Sequence, residues 1–373
     1  MPKRIGFLYE KFISEENCIA AERQMAKNKP DNQMAKHIGA NAEQYGKELS
    51  AMLAAGAWAP RPNRETVIQD SYKKKERHLK VPCLQDQAVQ YAWLNIATPH
   101  IEKRNYFYNC GSIPGAGQSR AVEYLQKILG VKRPPKYGGL FDIRKFYDTC
   151  PHWAVMKGLR RIFKDERFLS YAALILVSMS NTGTGLAIGH PASHWFANVA
   201  LMAIDHELKR KFPDVKTARY MDDIVLASSN KRHLRKAMQW LISKIRSIGM
   251  EVKRTWQIFQ IKKRGITFLS YRFFHGYTIL AKRLMYRIAR KFEQAHRRGV
   301  RSAHTAAGLV SYMGILSHCN SFNFRKNYVY PKVSIKKCKE VIANAAKNSL
   351  RFQTGGLHHL SPCAWGSNCP VPF

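Results

Sequence analysis

Two adjacent carboxylates, Asp222 and Asp223, are the residues whose types and spacing most clearly suggest chemistry in this chain. They lie between two short strand-like runs, 215–220 and 224–227, so the pattern predicts a β-hairpin with both acids at its tip. Neighbouring negative charges at a tight turn are unfavourable unless a cation neutralises them. Carboxylate oxygens suit Mg²⁺, which keeps several water ligands and commonly binds substrate phosphates. Two acids alone, however, more often form a solvated turn than a metal site.

A third acid, Asp142, changes this balance. It ends a short apolar run and is followed by the aromatic residues Phe146 and Tyr147. A charged side chain at the end of a buried strand is unfavourable when it is unpaired, so it is rarely there for packing. Asp142 therefore favours a carboxylate site with a chemical role over a solvated turn.

Two segments resemble motifs of the reverse transcriptases. FDIRKFYD, at 141–148, is similar to their first palm motif, and YMDD, at 220–223, is similar to their metal-binding turn. The resemblance implies two Mg²⁺ ions, which Mn²⁺ could replace, and a phosphoryl transfer in which both the attacking and the leaving oxygens are stabilised. The implied catalytic residues are Asp142, Asp222 and Asp223, and Ile143 joins these three as an implied metal ligand.

The same resemblance places further residues around an incoming nucleotide. A bulky aromatic residue at Tyr147 implies exclusion of a ribose 2′-OH, and hence dNTP substrates. Lys75 and Arg77 match a Lys-x-Arg pattern on the fingers hairpin over the triphosphate, where both cations can contact phosphate. Gly189 lacks a side chain, which lets a base pair approach the backbone closely. The implied nucleotide-binding set is Lys75, Arg77, Tyr147, Ile188, Gly189 and Lys253, the last near the position of a lysine that protonates pyrophosphate.

The segment after position 185 bears on the subgroup. Ile188-Gly189 followed by Ser193 is similar to the variant of the diversity-generating retroelement enzymes. Those enzymes usually have Gln after the Ser, where this chain has His194, and Gln87 replaces an Arg that is usual in the family. The resemblance implies a retroelement reverse transcriptase, and these two departures leave open an antiphage defence reverse transcriptase that copies a dedicated non-coding RNA.

The chain is strongly basic, with 62 Lys and Arg residues against 25 Asp and Glu residues and a formal net charge of +37. This excess indicates a polyanionic partner, because a basic side chain that meets a phosphate releases a counterion. A non-catalytic RNA-binding scaffold would share the composition, and an RNA-dependent RNA polymerase would share the palm. The expected partners are an RNA template, a DNA product and dNTPs, with an accessory protein or a second copy of the chain left open.

The order of helical and strand-like segments predicts an α+β fold, and the resemblance implies a right-hand polymerase with fingers, palm and thumb. The length of 373 residues suits one polymerase core rather than unrelated domains. A single basic helix is predicted over 153–168. The predicted divisions are a helical N-terminal extension at 1–57, fingers and palm at 58–275, a helical thumb at 276–350 and a C-terminal tail at 351–373.

The segment 281–300 has the pattern of a basic amphipathic helix. Leu284, Ile288 and Phe292 repeat every four residues and form an apolar stripe, while Lys and Arg cover much of the rest. Such a helix suits the backbone of a nucleic acid duplex, and a membrane-surface helix is the rival interpretation. The residues expected to contact nucleic acid are Tyr220, Met221, Arg287, Arg290 and Lys291.

The sequence predicts a cytoplasmic protein without a membrane segment. No apolar run is long enough to span a bilayer, and the first residues lack the apolar segment of a signal peptide. The eight cysteines are scattered, as expected for reduced thiols. His358, His359, Cys363 and Cys369 do not match the usual spacing of zinc ligands, which favours a loose tail over a zinc site.

Overall fold

The computed structural model describes residues 3–70, 75–113, 115 and 117–353, apart from the side chains at 70, 75 and 347–353. The four residues considered for zinc lie outside this part. The chain divides into two units, Met1–Thr278 and Ile279–Phe373. Helices combine with antiparallel sheets, which confirms the predicted α+β fold. Among the described helices, none has both the length and the apolar character needed to cross a bilayer.

The N-terminal segment is helical, as predicted. Two of its helices begin at capped residues: Ser14 accepts a hydrogen bond from the amide of Asn17, and Asn32 accepts one from the amide of Ala35. Phe12, Leu49 and Leu53 are buried in the main core of the first unit, so the helices that carry them pack onto that core, whereas Ile38 belongs to a separate buried cluster with Met25. The helices are α1 (Tyr9–Ile13), α2 (Glu15–Lys27), α3 (Gln33–Ala40) and α4 (Ala42–Ala54).

An antiparallel hairpin and two helices follow. The hairpin consists of β1 (Arg64–Asp70) and β2 (Lys75–Val81), and the helices are α5 (Leu84–Arg104) and α6 (Gly117–Leu129). Trp93 of α5 is fully buried and stacks on Phe168 with ring centroids 5.0 Å apart. This aromatic contact fixes α5 in the core, from which the hairpin extends.

A four-stranded antiparallel sheet forms the centre of the first unit, in the order β4-β5-β3-β6. Helix α11 (Lys231–Ser247) packs on β3 and β5. A Cβ at Gly139 would lie only 2.5 Å from the sulfur of Met238, so the glycine allows this close approach. The strands are β3 (Tyr137–Asp142), β4 (Lys216–Tyr220), β5 (Asp223–Ser228) and β6 (Gln257–Gln260).

Four helices connect β3 to β4: α7 (Phe146–Thr149), α8 (His152–Arg160), α9 (Glu166–Met179) and α10 (Ser193–Lys211). The prediction of one helix over 153–168 is wrong, because α8 ends at Arg160 and α9 begins after Asp165. One carboxylate oxygen of Asp165 accepts from the amide of Phe168, and the other accepts from the amides of Leu8 and Tyr9. Asp165 therefore caps α9 and ties the N-terminal segment to it.

The first unit ends with α12 (Ile261–Arg264) and a short hairpin of β7 (Ile266–Phe268) and β8 (Tyr271–Phe273), and β9 (Thr278–Leu280) crosses the division between the units. Leu269 and Ser270, the two loop residues of the hairpin, both have positive φ, at 49° and 71°. Positive φ at both positions is the pattern of a type I′ turn, which matches the twist of antiparallel strands.

The second unit is helical, with α13 (Lys282–Arg298), α14 (Ala303–Ser317), α15 (Phe322–Tyr328) and α16 (Ile335–Gln353). Leu284, Ile288 and Phe292 of α13 are buried, which confirms the predicted apolar stripe. Glu293 of the same helix pairs with Lys332 at 2.9 Å and with Arg297 at 3.1 Å. Helix α13 is therefore held by its buried apolar stripe and by these ion pairs, and its basic residues lie on the remaining faces.

Candidate active site

The sheet brings Asp142 and Asp223 together. In the antiparallel pair of β3 and β5, Asp142 lies directly opposite Asp223. Directly opposed residues have Cα atoms about 4.5–5.5 Å apart, and their side chains point to the same face. The amide of Ile143 donates to the carbonyl of Asp222 at 3.3 Å, so Asp222 lies at the same end of the sheet.

Asp222 lies in a tight turn between β4 and β5, and Asp223 comes directly after it. Tyr220 pairs with Asp223, so the loop contains only Met221 and Asp222. Met221 has a φ of 55°, and a positive φ at the first loop residue alone is the pattern of a type II′ turn. This conformation is unfavourable for a residue with a side chain, so the surrounding structure must hold it.

A buried arginine holds the turn from behind. Arg219, on β4, is 1% exposed, and its guanidinium donates to both carboxylate oxygens of Asp205 on α10 at 2.7–3.1 Å. Its Nη1 donates to the carbonyl of Met221 and to the side-chain oxygen of Asn198, both at 3.1 Å. These charge-assisted bonds connect the turn to α10.

The segment 109–111 supports the other side of the turn. Asn109 forms a parallel bridge with Arg219, and its side chain donates to that of Asn198 at 3.0 Å. Asn198 in turn donates to the carbonyl of Gly111 at 2.8 Å. A Cβ at Gly111 would lie 2.5 Å from the amide nitrogen of Met221, so a larger residue here would displace the turn.

Lys253 is the partner of Asp142. The amide of Lys253 donates to the carbonyl of Asp142 at 2.8 Å, and its ammonium group donates to the carboxylate Oδ2 at 2.5 Å. The other carboxylate oxygen, Oδ1, is buried and has no hydrogen-bond partner among the described residues. Asp142 therefore keeps one acceptor oxygen unsatisfied at the place where the resemblance implies a cation.

The backbone brings the three aspartates close together, but their side chains do not form a complete metal-binding site. Nowhere in the described ranges are three or more His, Cys, Asp or Glu side chains grouped closely enough to hold a metal ion. The ion pair of Asp142 with Lys253 gives a physical reason, since this carboxylate is already engaged by a cation. The donor set still fits a hard divalent ion, because it consists of carboxylate oxygens and includes the unsatisfied Oδ1.

Tyr147 lies beside these acids. Its carbonyl accepts from the amide of Leu186 at 2.7 Å, which fixes the start of α7 against the segment before α10. Burial and the charge of Asp222 raise the pKa of the Tyr147 phenol, while Arg77 acts in the opposite direction. Asp222 and Arg77 are therefore both close enough to this phenol for their charges to affect it.

The predicted triphosphate contacts lie on β2. Arg77 is opposite Ile68 in the hairpin register, and Lys75 is the first residue of the strand. The side chain of Lys75 lies outside the described part of the structure. The amide of Lys80, at the other end of β2, donates to the carbonyl of Ile188 at 2.9 Å. The hairpin is therefore bonded directly to the segment that carries Ile188 and Gly189.

Gly189 has a structural role that the sequence did not indicate. Its φ is 120°, a conformation that residues with side chains rarely adopt, and a Cβ there would lie 2.7 Å from the carbonyl oxygen of Lys80. The close approach that the described structure shows is therefore that of the β2 backbone. Room for a base pair, the reason expected from the sequence, stays a prediction.

His190, which the sequence analysis did not single out, anchors the same segment. Its Nδ1 accepts from the side-chain amide of Gln90 at 2.9 Å, and its Nε2 donates to the side-chain oxygen of Asn63 at 3.0 Å. Burial, with a smaller contribution from Lys80, lowers the pKa of His190 to about 4. The imidazole is therefore neutral at physiological pH, with both nitrogens satisfied.

The two departures from the family pattern have defined surroundings. Gln87 is buried, and its side-chain amide donates to the carbonyl of Pro82 at 2.7 Å, so it helps to fix the chain where α5 begins. His194 lines a cleft of about 640 Å³ together with Tyr220 and with Asn28, the residue that follows α2. Burial lowers the pKa of His194, which favours a neutral imidazole in this cleft.

The residues predicted to contact nucleic acid have different environments. Tyr220 is half-buried, whereas Met221 is 6% exposed, so the Met221 side chain contributes to the packing of the turn. Arg290 and Lys291 are exposed on α13 of the second unit, and Arg287 on the same helix is half-buried. None of these three basic residues belongs to the buried set of α13, which is Leu284, Ile288, Phe292 and Ala295.

Arg219 and Asp205 are the main residues that sequence reasoning missed. Both are charged, and nothing in their immediate sequence indicates that they are buried or paired. A signal was present in the position of Arg219, because it stands between buried neighbours on a strand that leads to the acidic turn. An inward-facing arginine so placed requires an acidic partner.

Comparison with known families decides the assignment. The family described as "Reverse transcriptase (RNA-dependent DNA polymerase)" matches residues 65–273, more than half of the chain. The chain belongs to the reverse transcriptase family. The matched range contains the three acids, the segment at 185–198 and the hairpin with Arg77.

Individual relatives are more distant. Protein YkfC of Escherichia coli (strain K12) is 26% identical over 169 residues, which are 43% of this chain and 44% of that protein. The apo telomerase from Candida Tropicalis has a TM-score of 0.49 at 12% identity, with 82% of this chain and 63% of that chain covered. Telomerase from Candida albicans in complex with a TWJ fragment of telomeric RNA gives 0.48 at 12%, with 78% and 62% covered. The chain thus spans less than two thirds of the length of each.

Proposed function

We propose that the protein is an RNA-directed DNA polymerase that makes cDNA on an RNA template. The observation that carries this proposal is the register of β3 and β5, which sets Asp142 opposite Asp223 with Asp222 in the adjoining turn. In a chain of this family, that arrangement gives a function to acids that would otherwise repel one another.

Asp142, Asp222 and Asp223, with the carbonyl of Ile143, are the groups that would hold two Mg²⁺ ions, and Mn²⁺ could replace them. When bound, such ions stabilise charge on the attacking and leaving oxygens of a phosphoryl transfer. The unsatisfied Oδ1 of Asp142 supports this assignment. We assign the proton transfer to pyrophosphate to Lys253, and the contact of its ammonium group with Asp142 supports this assignment.

The nucleotide would lie between β2 and the palm. Arg77, together with Lys75, binds the triphosphate, and Tyr147 excludes the 2′-OH of a ribonucleotide. The opposite effects of Asp222 and Arg77 on the pKa of the Tyr147 phenol support this placement. Ile188 and Gly189 shape the nascent base pair at the end of the segment bonded to β2.

Nucleic acid contacts extend beyond this centre. Arg287, Arg290 and Lys291 bind phosphates of the duplex, and Tyr220 and the backbone of Met221 lie beside the primer end. The residues with these proposed roles lie in the proposed fingers and palm, 58–275, and in the proposed thumb, 276–350. The other proposed divisions are an N-terminal extension at 1–57 and a tail at 351–373. The high net charge supports a polyanionic partner.

For biological context we infer a cytoplasmic enzyme of a diversity-generating retroelement, acting with an accessory protein or a second copy of the chain. Ser193 supports this subgroup, and its hydroxyl donates to the carbonyl of Ala187 at 2.5 Å within the motif segment. The alternative is an antiphage defence enzyme that copies a dedicated non-coding RNA. It is favoured by His194 in the cleft beside Tyr220 and by Gln87, whose amide is used for packing.

The test of the polymerase function is the variant Asp222→Asn. Purified protein is incubated with an RNA template, an annealed DNA primer, dNTPs and Mg²⁺, and extension is followed on a denaturing gel. Loss of extension is expected, with thermal unfolding unchanged. Asp31→Asn, at an exposed acid near the start of α3, is the matched control and should extend normally. Extension by Asp222→Asn at the wild-type rate would reject the assignment.

The context is tested separately, by sequencing the RNA that copurifies with the protein and the cDNA made from it. A template repeat adjoining a variable gene supports the retroelement, whereas one abundant structured RNA supports the defence enzyme. Incubation with labelled rNTPs in place of dNTPs identifies an RNA-dependent RNA polymerase, if the product is RNA.

A further inference from the structure

A cleft of about 680 Å³ lies beside α6, at the base of the β4–β5 hairpin. We name it the α6 cleft. Its volume is in the range of sites that bind small molecules or single nucleotides. The lining residues that matter for its chemistry are Phe107, Tyr108, Arg120, Tyr124, Lys127 and Lys216.

The α6 cleft is separate from the acidic centre. Its lining includes Lys216, where β4 begins, and Ser228, where β5 ends. Asp223 is at the opposite end of β5, five residues from Ser228. At about 3.4 Å per residue this is roughly 17 Å. A ligand in the α6 cleft would therefore not be the nucleotide that reacts at the acids.

Aromatic rings form one side of the cleft. Phe107 is 61% exposed, and the guanidinium carbon of Arg120 lies 3.9 Å from its ring centroid. Tyr108 and Tyr124 stack on each other with centroids 3.7 Å apart. An arginine over one face of an exposed ring leaves the rest of that ring available for stacking. Such platforms hold unpaired bases in proteins that bind single strands.

Basic side chains surround the rings. Arg120 and Lys127 lie on the face of α6 that carries Tyr124, while the opposite face is buried in the core. The lining contains four basic residues, with Arg133 and Lys216 added to these two, and two acids. One of the acids, Asp214, is already paired with His233 at 2.7 Å. The cleft therefore has an excess of positive charge next to its aromatic wall.

We propose that the α6 cleft binds an unpaired nucleotide of a single-stranded nucleic acid, at a site distinct from the polymerase centre. The base stacks against Phe107 and Tyr108, and the flanking phosphates contact Arg120 and Lys127. RNA and DNA strands share this chemistry, so either could supply the nucleotide. A duplex is excluded, because its paired bases cannot enter a cleft of this size. The proposal does not depend on polymerase activity.

The test uses the full chain without dNTPs or divalent ions. Fluorescent single-stranded oligonucleotides that contain 4-thiouracil, one RNA and one DNA of the same sequence, are bound, crosslinked and digested. Crosslinks are expected on the peptides between 105 and 133. Phe107→Ala and Arg120→Ala should each weaken those crosslinks and lower the affinity for at least one oligonucleotide by about five-fold or more. The oligonucleotide that responds identifies the strand.

Trp153→Ala is the matched control, because Trp153 is also half-exposed and has Lys157 beside its ring at 5.8 Å, but lies outside the α6 cleft. Phe107→Tyr keeps the aromatic face and should bind as the wild type does, which separates stacking from a folding defect. Equal affinity and equal crosslinking for Phe107→Ala, Arg120→Ala and Trp153→Ala on both oligonucleotides would overturn the proposal.

Discussion

At the scale of single residues, Tyr147 is the side chain that the proposed function assigns to substrate choice. It is half-buried beside β3, and its pKa responds to both Asp222 and Arg77. Under the proposed function, this rigid ring, which feels the charges of both Asp222 and Arg77, would occupy the space of the nucleotide's sugar. Selection by such a ring is steric, so it depends on the ring rather than on the hydroxyl.

Tyr147→Ala should therefore raise ribonucleotide incorporation relative to deoxynucleotide incorporation, by about ten-fold or more. Single-nucleotide extension with matched rNTP and dNTP concentrations measures the ratio of kcat/KM values. Tyr147→Phe keeps the ring and serves as the control, with its ratio close to that of the wild type. An unchanged ratio in Tyr147→Ala would show that another residue selects the sugar.

His190 links protonation to stability. Its pKa in the folded protein is about 4, below the ordinary value of 6.5, so the unfolded chain binds more protons between these two values. The free energy of unfolding should therefore fall as the pH is lowered from 7 to 5, by about 2 kcal/mol from this residue. Urea unfolding at the two pH values measures the difference.

His190→Gln should lose most of that pH dependence, although it also removes hydrogen bonds and lowers stability at pH 7. His37→Gln, at an exposed histidine on α3, is the matched control and should keep it. If the pH dependence of His190→Gln equals that of His37→Gln, the buried imidazole is not its source.

At the scale of elements, the position of the acidic turn depends on α10 as well as on its own hairpin. Arg219 spans the distance between them, with Asp205 on one side and the Met221 carbonyl on the other. A buried ion pair that loses one partner leaves an uncompensated charge, which is far more costly than loss of a surface pair. The turn should therefore respond to changes on α10 that never contact substrate.

Asp205→Asn should lower kcat for primer extension by about ten-fold or more, with a smaller effect on the KM for dNTP, and destabilise the fold by roughly 3–5 kcal/mol. Lys244→Ala is the control. It breaks the exposed pair of Lys244 with Glu207, also on α10, and should change stability by less than about 1 kcal/mol. Equal kcat values for the two variants would argue against a positioning role for Asp205.

Elements with a strong apolar period could be predicted from the sequence, and residues that act through tertiary contacts could not. The stripe of Leu284, Ile288 and Phe292 predicted α13 correctly, because burial on one face repeats along the chain. The break between α8 and α9 escaped prediction. Asp165 caps α9 through the nearby amide of Phe168, but its bonds to Leu8 and Tyr9, more than 150 positions away, could not be read from the sequence.

The candidate site shows the same division. The adjacency of Asp142 and Asp223 follows from strand-like runs that end at acids, so the sequence contained the information. The pairing of Asp142 with Lys253 was not predicted, because it depends on how the segment that contains Lys253 lies beside the end of β3. The close approach of Gly189 to the carbonyl oxygen of Lys80 was also missed, because Lys80 lies far away in the sequence, in the β1–β2 hairpin.

At the scale of the whole molecule, the net charge of +37 predicts that the proposed nucleic acid binding depends on salt. A protein that makes six to ten phosphate contacts loses roughly three to five orders of magnitude in affinity between 50 and 200 mM salt. The exposed residues Arg290 and Lys291 on α13 are expected to contribute two of these contacts.

Replacing Arg290 and Lys291 together by alanine should therefore reduce the slope of log affinity against log salt by about 1.5. Fluorescence anisotropy with an RNA–DNA duplex over a salt series measures the slope. The swap of Arg290→Lys with Lys291→Arg keeps both charges and should keep the slope. A slope that survives the double alanine change would place the phosphate contacts elsewhere on the protein.

The bond between Lys80 and Ile188 has a mechanical consequence. It joins the strand that carries Arg77 to the segment that carries Ile188 and Gly189, and the bonded residue, Lys80, is three positions from the arginine, or about 10 Å. Under the proposed function, a misfitting base pair that displaces position 188 or 189 would also displace the strand that carries Arg77. If the proposed roles hold, accuracy in base choice and strength of triphosphate binding would be coupled through this single amide–carbonyl hydrogen bond.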